Sequence, residues 1–253
     1  MPPHIYVISL ATAHERRVFM RQQLDALALP YTIVDGVHGA TTPDHALFGK
    51  YNDKKRLRRR GAGSSLRLSQ LGCFASHYLL WQRCLENEQA IIVLEDDAIL
   101  QPTFTDFYQA AEQLATQYGL IWLQPSRKQD QHSGRKIGNL GPFTIRQYTK
   151  GFSGTTGYLL TPLAAKTLLA YSAEWLYPVD NTMDRFFEHS IAATGLDPAC
   201  IQQDDDFESS INVADAGTRR TLPDRLRREA DSLKDTLARG WYNLKAGMTA
   251  RNP

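Results

Sequence analysis

Cysteine is scarce in this chain. Cys73, Cys84 and Cys200 are odd in number and have no short spacing, which excludes both a disulfide framework and a zinc site. Cys73 and Cys84 fall in an apolar helical pattern and are expected to be buried thiols. Long apolar runs are also missing. None approaches the ~20 residues needed to cross a bilayer. Met1-Pro2-Pro3-His4 carries no basic segment leading into an apolar one, so no signal peptide is expected, and a cytoplasmic location is. No Gly-x-Gly-x-x-Gly fingerprint and no Walker motif occurs, which weakens a dinucleotide or P-loop reading. Excess charge is absent as well: the net charge is +2, and no nucleic-acid module is recognisable. What remains is 253 residues, 42% hydrophobic and 22% charged, enough to bury a sizeable core in one large domain with an appendage.

The most informative stretch is Ile91-Ile92-Val93-Leu94-Glu95-Asp96-Asp97. Its apolar, β-branched run is too short for a helix and is expected to be a strand buried on both faces. Three acids follow at the strand end, where open α/β sheets bind ligands. Three carboxylates there suit Mg²⁺ or Mn²⁺ holding a phosphate-bearing substrate. The plainer alternative is a solvated loop or a helix cap.

Upstream, Ile5-Tyr6-Val7-Ile8-Ser9-Leu10 is a first strand, followed by a helix with Thr12 and Glu15 at capping-box spacing. Arg16 and Arg17 sit in its first turn, where the helix dipole favours anions. That placement makes sense if they face a nucleotide's phosphates, although solvated arginines are the simpler possibility. Tyr31-Thr32-Ile33-Val34 closes a strand–helix–strand unit. Residues 36–68 look irregular. They carry Lys54, Lys55, Arg56, Arg58, Arg59 and Arg60, expected to form a solvated loop or one that meets nucleic acid, a phosphate-bearing acceptor or lipid headgroups. A long helix then spans 69–86, with Leu71, Phe74, Tyr78, Trp81 and Leu85 as its apolar stripe. His77 beside that stripe is expected to be a hydrogen-bonded structural residue.

Further along, a helix at about 103–118 and a strand at 120–123 precede a polar excursion over 125–142 and a strand at 143–148. Gly151 to Gly157 is glycine-rich, allows close backbone approach to a ligand, and enters a strand and helix ending at Tyr171. Asp180 either N-caps the helix that follows or projects a carboxylate into a cleft. A last short strand at 199–201 leads to Gln202-Gln203-Asp204-Asp205-Asp206, a further set of oxygen ligands. From Leu222, apolar residues recur through Leu226, Leu233, Leu237, Trp241, Leu244 and Met248. Nine Lys/Arg against four Asp/Glu between Arg219 and Pro253 make this tail basic. Such a helix could lie in an anionic membrane interface, pack on its own domain, or form a homodimer.

Together these segments resemble glycosyltransferase family 25, which includes bacterial lipooligosaccharide galactosyltransferases. The resemblance rests on Tyr6–Leu10 with Arg16-Arg17, Leu71-Gly72-Cys73-Phe74-Ala75-Ser76-His77, Leu94-Glu95-Asp96-Asp97, Gly154-Thr155-Thr156-Gly157-Tyr158 and Tyr177-Pro178-Val179-Asp180, in the family's order over about residues 4–203. It implies a GT-A-like, Rossmann-type α/β sandwich around a mostly parallel central sheet. That domain is expected over 1–215, with a basic amphipathic helical extension over 216–253. The resemblance also implies a UDP-sugar donor and a divalent metal. Asp97 would ligate the metal, with Glu95 and a late ligand, Gln202 or Asp204. Ser9, Leu10, Arg16, Arg17, Glu95 and Asp96 would line the nucleotide pocket, and Thr155, Thr156 and Gly157 would face the donor sugar. Asp180 is the expected base, with Asp184 second on the same helix face. A lipid-linked oligosaccharide acceptor at the inner face of the bacterial inner membrane would suit the basic segment 54–60 and the tail, with Trp241 at the apolar edge. The expected activity is metal-dependent, inverting transfer of a hexose, galactose from UDP-galactose foremost, onto a lipopolysaccharide or lipooligosaccharide core. The rivals are a metal-dependent nucleotidyltransferase or phosphohydrolase using the same acids, and a non-enzymatic basic module binding nucleic acid, which the near-neutral charge disfavours.

Overall fold

The computed structural model describes residues 2–204 and 221–249. Asp205, Asp206 and the boundary expected near 215 lie outside the described residues. The chain opens with β1 (His4–Ser9), α1 (His14–Ala26) and β2 (Tyr31–Asp35), then α2 (Asp53–Arg60) and the long α3 (Leu68–Glu86). Next come β3 (Ile91–Glu95), β4 (Ala98–Leu100), α4 (Phe104–Gln117), β5 (Leu120–Trp122), β6 (Arg135–Leu140) and β7 (Phe143–Gln147). The remainder is β8 (Gly157–Leu160), α5 (Pro162–Tyr171), α6 (Val179–Met183), α7 (Phe186–His189), β9 (Thr194–Asp197), β10 (Ile201–Gln203) and α8 (Leu222–Thr249).

Eight strands form one sheet in the order β2-β1-β3-β8-β5-β9-β7-β6, and β10 pairs with β4 in a small second sheet. β8 and β7 are antiparallel to their neighbours, so the other six strands share one direction. Side chains alternate across this sheet. Ile91, Val93, Tyr158, Leu160 and Trp122 join α3 and α5 on one face. Ile92, Leu94, Leu159 and Ile121 join α1 and α4 on the other. All four apolar residues of β3 are buried, so the expected two-sided strand and the α/β sandwich are both present. Each large aliphatic or aromatic side chain enclosed in this way contributes roughly 1.5–3 kcal/mol. The acids must therefore emerge at a fixed point, where Glu95 pairs across to Ile8 on β1.

Four segments differ from the sequence expectation. Residues 53–60 form a helix: Asn52 caps it by accepting from the Lys55 amide, and Asp53 lies in its first turn. The excursion at 125–142 contains β6, an edge strand paired with β7. The helix expected beyond Asp180 is two short helices. The late strand expected at 199–201 is replaced by β9, inside the main sheet, and β10, paired with β4. The tail is one 28-residue helix and packs back on the domain, against α2 and α7.

Candidate active site

The turn from β1 into α1 lies beside the end of β3. Ser9 Oγ donates to Asp96 Oδ2 at 2.6 Å, and Arg16 Nη1 lies 3.2 Å from Asp96 Oδ1. Asp96 is buried and joins the two strand ends. Arg17 was expected at the nucleotide pocket, but it braces the protein itself. Its guanidinium donates to the carbonyls of Leu10 at 3.1 Å and Ser9 at 2.8 Å and pairs with Asp35 at 2.5 Å. A planar five-donor group suits such a corner. Arg17 therefore fixes the path of Ser9 and Leu10 through their backbone.

Glu95 is held by a chain of hydrogen bonds with a defined direction. Trp81 Nε1, which can only donate, points at the Tyr158 hydroxyl 3.0 Å away. Tyr158 must then give its proton to His77 Nδ1 at 2.8 Å, which leaves the His77 proton on Nε2, 3.0 Å from Glu95 Oε1. Burial keeps the Tyr158 hydroxyl protonated by raising its pKa well above the ordinary value. For Glu95, burial acts to raise the pKa, but the hydrogen bonds from His77 and Thr155 outweigh it, so the group stays a carboxylate below the usual range. His77 is thus the structural residue expected, and its partner is a site acid.

Thr155, Thr156 and Gly157, expected at the donor sugar, make contacts within the protein. The first two are buried. Thr155 Oγ1 donates to Glu95, and the Thr156 carbonyl accepts from the Glu95 amide at 2.9 Å. Gly157 pairs with Leu94 on β3, and a Cβ there would sit 2.5 Å from Ile201 Cδ1 and 2.8 Å from Leu94 Cδ2. The glycine permits close strand packing rather than ligand approach. Gln124, not foreseen from the sequence, clamps the same loop: its amide donates to the Gly154 carbonyl and accepts from the Gly157 amide, each at 3.1 Å. It is buried just beyond β5.

Asp97 is the acid that remains under-satisfied. Gln203 Nε2 donates to its Oδ2 at 3.1 Å, whereas its buried Oδ1 has no hydrogen-bond partner among the described residues. Burial raises the Asp97 pKa and the Glu95 charge adds to this, with the net value pushed up to about 7 despite Gln203. An orphaned buried carboxylate oxygen beside two further carboxylates has the donor chemistry that hard divalent cations take, so these residues fit such an ion. A different trio, Cys73, His77 and Glu95, places its ligand atoms within 4.8 Å of one another. It is the poorer set. Both His77 nitrogens are hydrogen-bonded, and burial raises the Cys73 thiol pKa well above its usual value. Gln202, the expected late ligand, is exposed on β10. Alternation along that strand turns Gln203 toward Asp97 instead, and the Asp204 amide donates to the Asp97 carbonyl at 2.9 Å.

Asp180 does not cap a helix: Pro178 holds the N-cap of α6, and Asp180 lies in its first turn. Its Oδ2 faces the Gly154 amide at 3.4 Å, and its Oδ1 accepts from Asn181 Nδ2 at 3.1 Å. The Gly154 contact sets Asp180 beside the loop whose Thr155 and Thr156 hold Glu95. Asp184, expected as a second base, is instead buried. It meets Lys128 Nζ at 2.5 Å, the Phe152 amide at 2.7 Å and Arg239 at 3.5 Å. It joins the 128 and 151–152 loops to α8 and is closed to a substrate. Burial raises its pKa, and Lys128 and the Phe152 amide oppose that rise.

The six cations of 54–60 do not present one basic face. Arg56 donates to the Leu176 carbonyl at 2.7 Å, Arg59 to the Tyr177 hydroxyl at 3.0 Å, Arg60 pairs with Asp231 at 3.2 Å, and Lys55 pairs with Glu174. Lys54 and Arg58 are the exposed ones. This removes the main support for a nucleic-acid-binding loop. Trp241 is 61% exposed on α8. No helix among the described residues is long and apolar enough to cross a membrane.

Comparison with known proteins gives a match to the model of glycosyltransferase family 25 (LPS biosynthesis protein) over residues 2–183. A Haemophilus influenzae protein named lipooligosaccharide biosynthesis protein lic2B is 24% identical over 82% of this chain and 79% of its own length. A glycosyltransferase 25 family member of Anopheles gambiae is 29% identical over 74% of this chain. Procollagen galactosyltransferase 1-A of Xenopus laevis is 26% identical over 73% of it. The matched region spans about a third of these last two relatives, 32% and 31% of their lengths.

Proposed function

The chain belongs to glycosyltransferase family 25, and on that premise we propose that it transfers a hexose, galactose from UDP-galactose foremost, onto a lipid-linked lipopolysaccharide or lipooligosaccharide core. The single observation that carries the site assignment is Asp97 Oδ1, buried at the end of β3 and unpartnered among the described residues. Asp97 would hold a divalent cation, Mn²⁺ or Mg²⁺. Such an ion supplies neutralisation of the departing diphosphate. Glu95 and Asp96 act differently. Their oxygens already accept from His77, Thr155, Ser9 and Arg16, so they fix the negative lip on which Asp97 stands.

Displacement at an anomeric carbon passes through an oxocarbenium-like state. Inversion needs a base on the acceptor side to take the hydroxyl proton, worth about 10²–10⁴-fold. Asp180 is that base in our reading. Its carboxylate is partly exposed on a short helix beside the loop that holds Glu95, and its side-chain hydrogen bonds among the described residues are with the Gly154 amide at 3.4 Å and Asn181 Nδ2 at 3.1 Å. The galactosyl and lipooligosaccharide assignments draw on the names of relatives at 24–26% identity. The test is a metal-supplemented screen of UDP-sugars against truncated core oligosaccharides, read by mass and by NMR linkage analysis. A β-linked hexose product that disappears on chelation is expected. Release of nucleotide with no glycan product under every donor would return the site to a phosphohydrolase.

A further inference from the structure

α8 turns its charged side to the domain and its apolar side to solvent. Asp231 and Asp235 reach Arg60, Asp235 also binds Arg185 at 2.5 Å, and Arg239 reaches Asp184. Tyr242 packs edge-on to Phe186, with ring centroids 5.2 Å apart. Leu222, Leu226, Leu233, Leu237, Trp241 and Leu244 are all more than half exposed. At ~100° per residue they share an arc of about 100°, diametrically opposite the ion-paired side. An amphipathic helix on a globular domain ordinarily buries its apolar stripe. Here the stripe is held outward by partly buried ion pairs on the other side.

Charge and periodicity indicate what covers it. Asp231 and Asp235 are turned inward, so the outer charges among the described side chains are Arg225, Arg227, Arg228, Lys234 and Lys245 against Glu229. Arg227, Lys234 and Lys245 fall along one edge of the apolar arc, where long cationic side chains reach lipid headgroups while their stems cover apolar surface. Lys245 Nζ lies 5.2 Å from the Trp241 ring centroid, an aromatic–cation pairing suited to the membrane–water boundary. Leu222, Leu233 and Leu244 are 11 residues apart, as are Leu226 and Leu237, and Ala230 and Trp241. That spacing, about 3.67 residues per turn, keeps the ridge nearly straight along a helix of roughly 42 Å; it argues against a left-handed coiled coil with a second copy, which needs 3.5, and the right-handed pairing that an 11-residue repeat allows is an outcome of the sedimentation test below. A straight apolar ridge with a basic edge fits a flat anionic surface.

We propose that α8 is a lipid-docking runner: it lies in the plane of an anionic bilayer surface, apolar ridge inward, and the Asp231, Asp235 and Arg239 ion pairs fix the catalytic domain on its upper side. The inference goes beyond the transferase reading and does not depend on it, because its test contains no sugar donor. The full chain is mixed with phosphatidylcholine vesicles, with and without phosphatidylglycerol, at physiological salt, and co-sedimentation is measured. The chain is expected to partition onto the anionic vesicles only. Leu237→Glu should reduce that partitioning by at least about tenfold, the loss expected from removing one leucine from lipid. Lys234→Glu with Lys245→Glu, which leaves every apolar ridge residue in place, should abolish the preference for anionic lipid. Unchanged melting temperatures will show that both variants remain folded. Wild-type protein left in the supernatant, or a Leu237→Glu variant that partitions like the wild type, overturns the proposal. So does a vesicle-independent dimer, seen by sedimentation velocity, that Leu237→Glu dissociates.

Discussion

Replacing Asp97 by Asn should change how stability depends on pH. The Asp97 carboxyl has its pKa raised to about 7 in the folded chain, by burial first and then by the Glu95 charge. The unfolded chain ionises near the ordinary aspartate value of about 3.9. The folded state therefore binds the extra proton between those values. The stability associated with this group is fully present below the unfolded pKa and is lost as pH rises toward the folded one. A shift of about three units corresponds to at most ~4 kcal/mol, and partial solvent access reduces that to roughly 1–4 kcal/mol. Between pH 5 and pH 8 only about two of those three units are traversed, ~3 kcal/mol at most, so at 2–4 °C per kcal/mol for a chain of this size the wild-type melting temperature should fall by roughly 2–10 °C through this residue alone. Asp97→Asn removes that component. Thermal melts of both proteins across this range, with chelator present, isolate it, since every other titration is common to both. Mn²⁺ at pH 8 should recover the wild type and leave the variant unmoved, because it binds only the ionised site. Parallel pH profiles for the two proteins would refute the assigned burial of a strained carboxyl, whatever the activity.

Other substitutions separate support from chemistry. Asp180→Asn should leave the melting temperature nearly unchanged while lowering transfer about 10²–10⁴-fold. Asp184→Asn leaves Lys128 and Arg239 facing a neutral amide and should cost about 3 kcal/mol, seen in denaturant melts, with transfer per folded molecule preserved. Tyr158→Phe removes the group that accepts from Trp81 and orients His77. It should cost about 1–3 kcal/mol and reduce kcat more than the donor KM. Gly151→Ala would place a Cβ 1.8 Å from Asp184 Oδ1 at a backbone φ of +75°. It should destabilise the chain by more than about 2 kcal/mol, whereas Gly49→Ala, with open space around it, should not.

The sheet was legible where burial is two-sided. β1, β3 and β8 are short apolar runs that fit little else, and α1, α3, α4 and α5 carry continuous apolar faces. β4 and β10 were not legible, since three-residue strands at a sheet margin leave no periodicity to count. β6 was missed because its edge position leaves Arg135, Lys136 and Ile137 exposed, which makes a polar strand look like a loop. α2 was missed for an electrostatic reason. Six cations in seven residues repel one another in isolation, and partners from elsewhere, Glu174, Asp231, Asp235, the Ser64 and Leu176 carbonyls and the Tyr177 hydroxyl, make them compatible with a packed helix.

The site divides in a similar way. Acids at the end of a buried strand announce themselves, as Glu95, Asp96 and Asp97 did. Which of the three lacks partners depends on Ser9, Arg16, His77 and Thr155, contributed from elsewhere in the chain. Gln202 and Gln203 differ only in strand parity, and a one-residue shift in register reverses which one faces Asp97. The glycine-rich run at 151–157 suggested a ligand loop, yet it braces Glu95 and Asp184 from within. The sequence does signal this brace: His77 and Trp81 are four residues apart on α3, one helical turn, and both need a polar partner when buried.

The central claim is that Asp97 anchors a cation for a nucleotide-sugar donor, and calorimetric titration of UDP into the full chain with and without Mn²⁺ tests it most directly. The account predicts metal-dependent binding by the wild type and none by Asp97→Ala, with the variant still folded. Equal metal-dependent affinity in both proteins would contradict it.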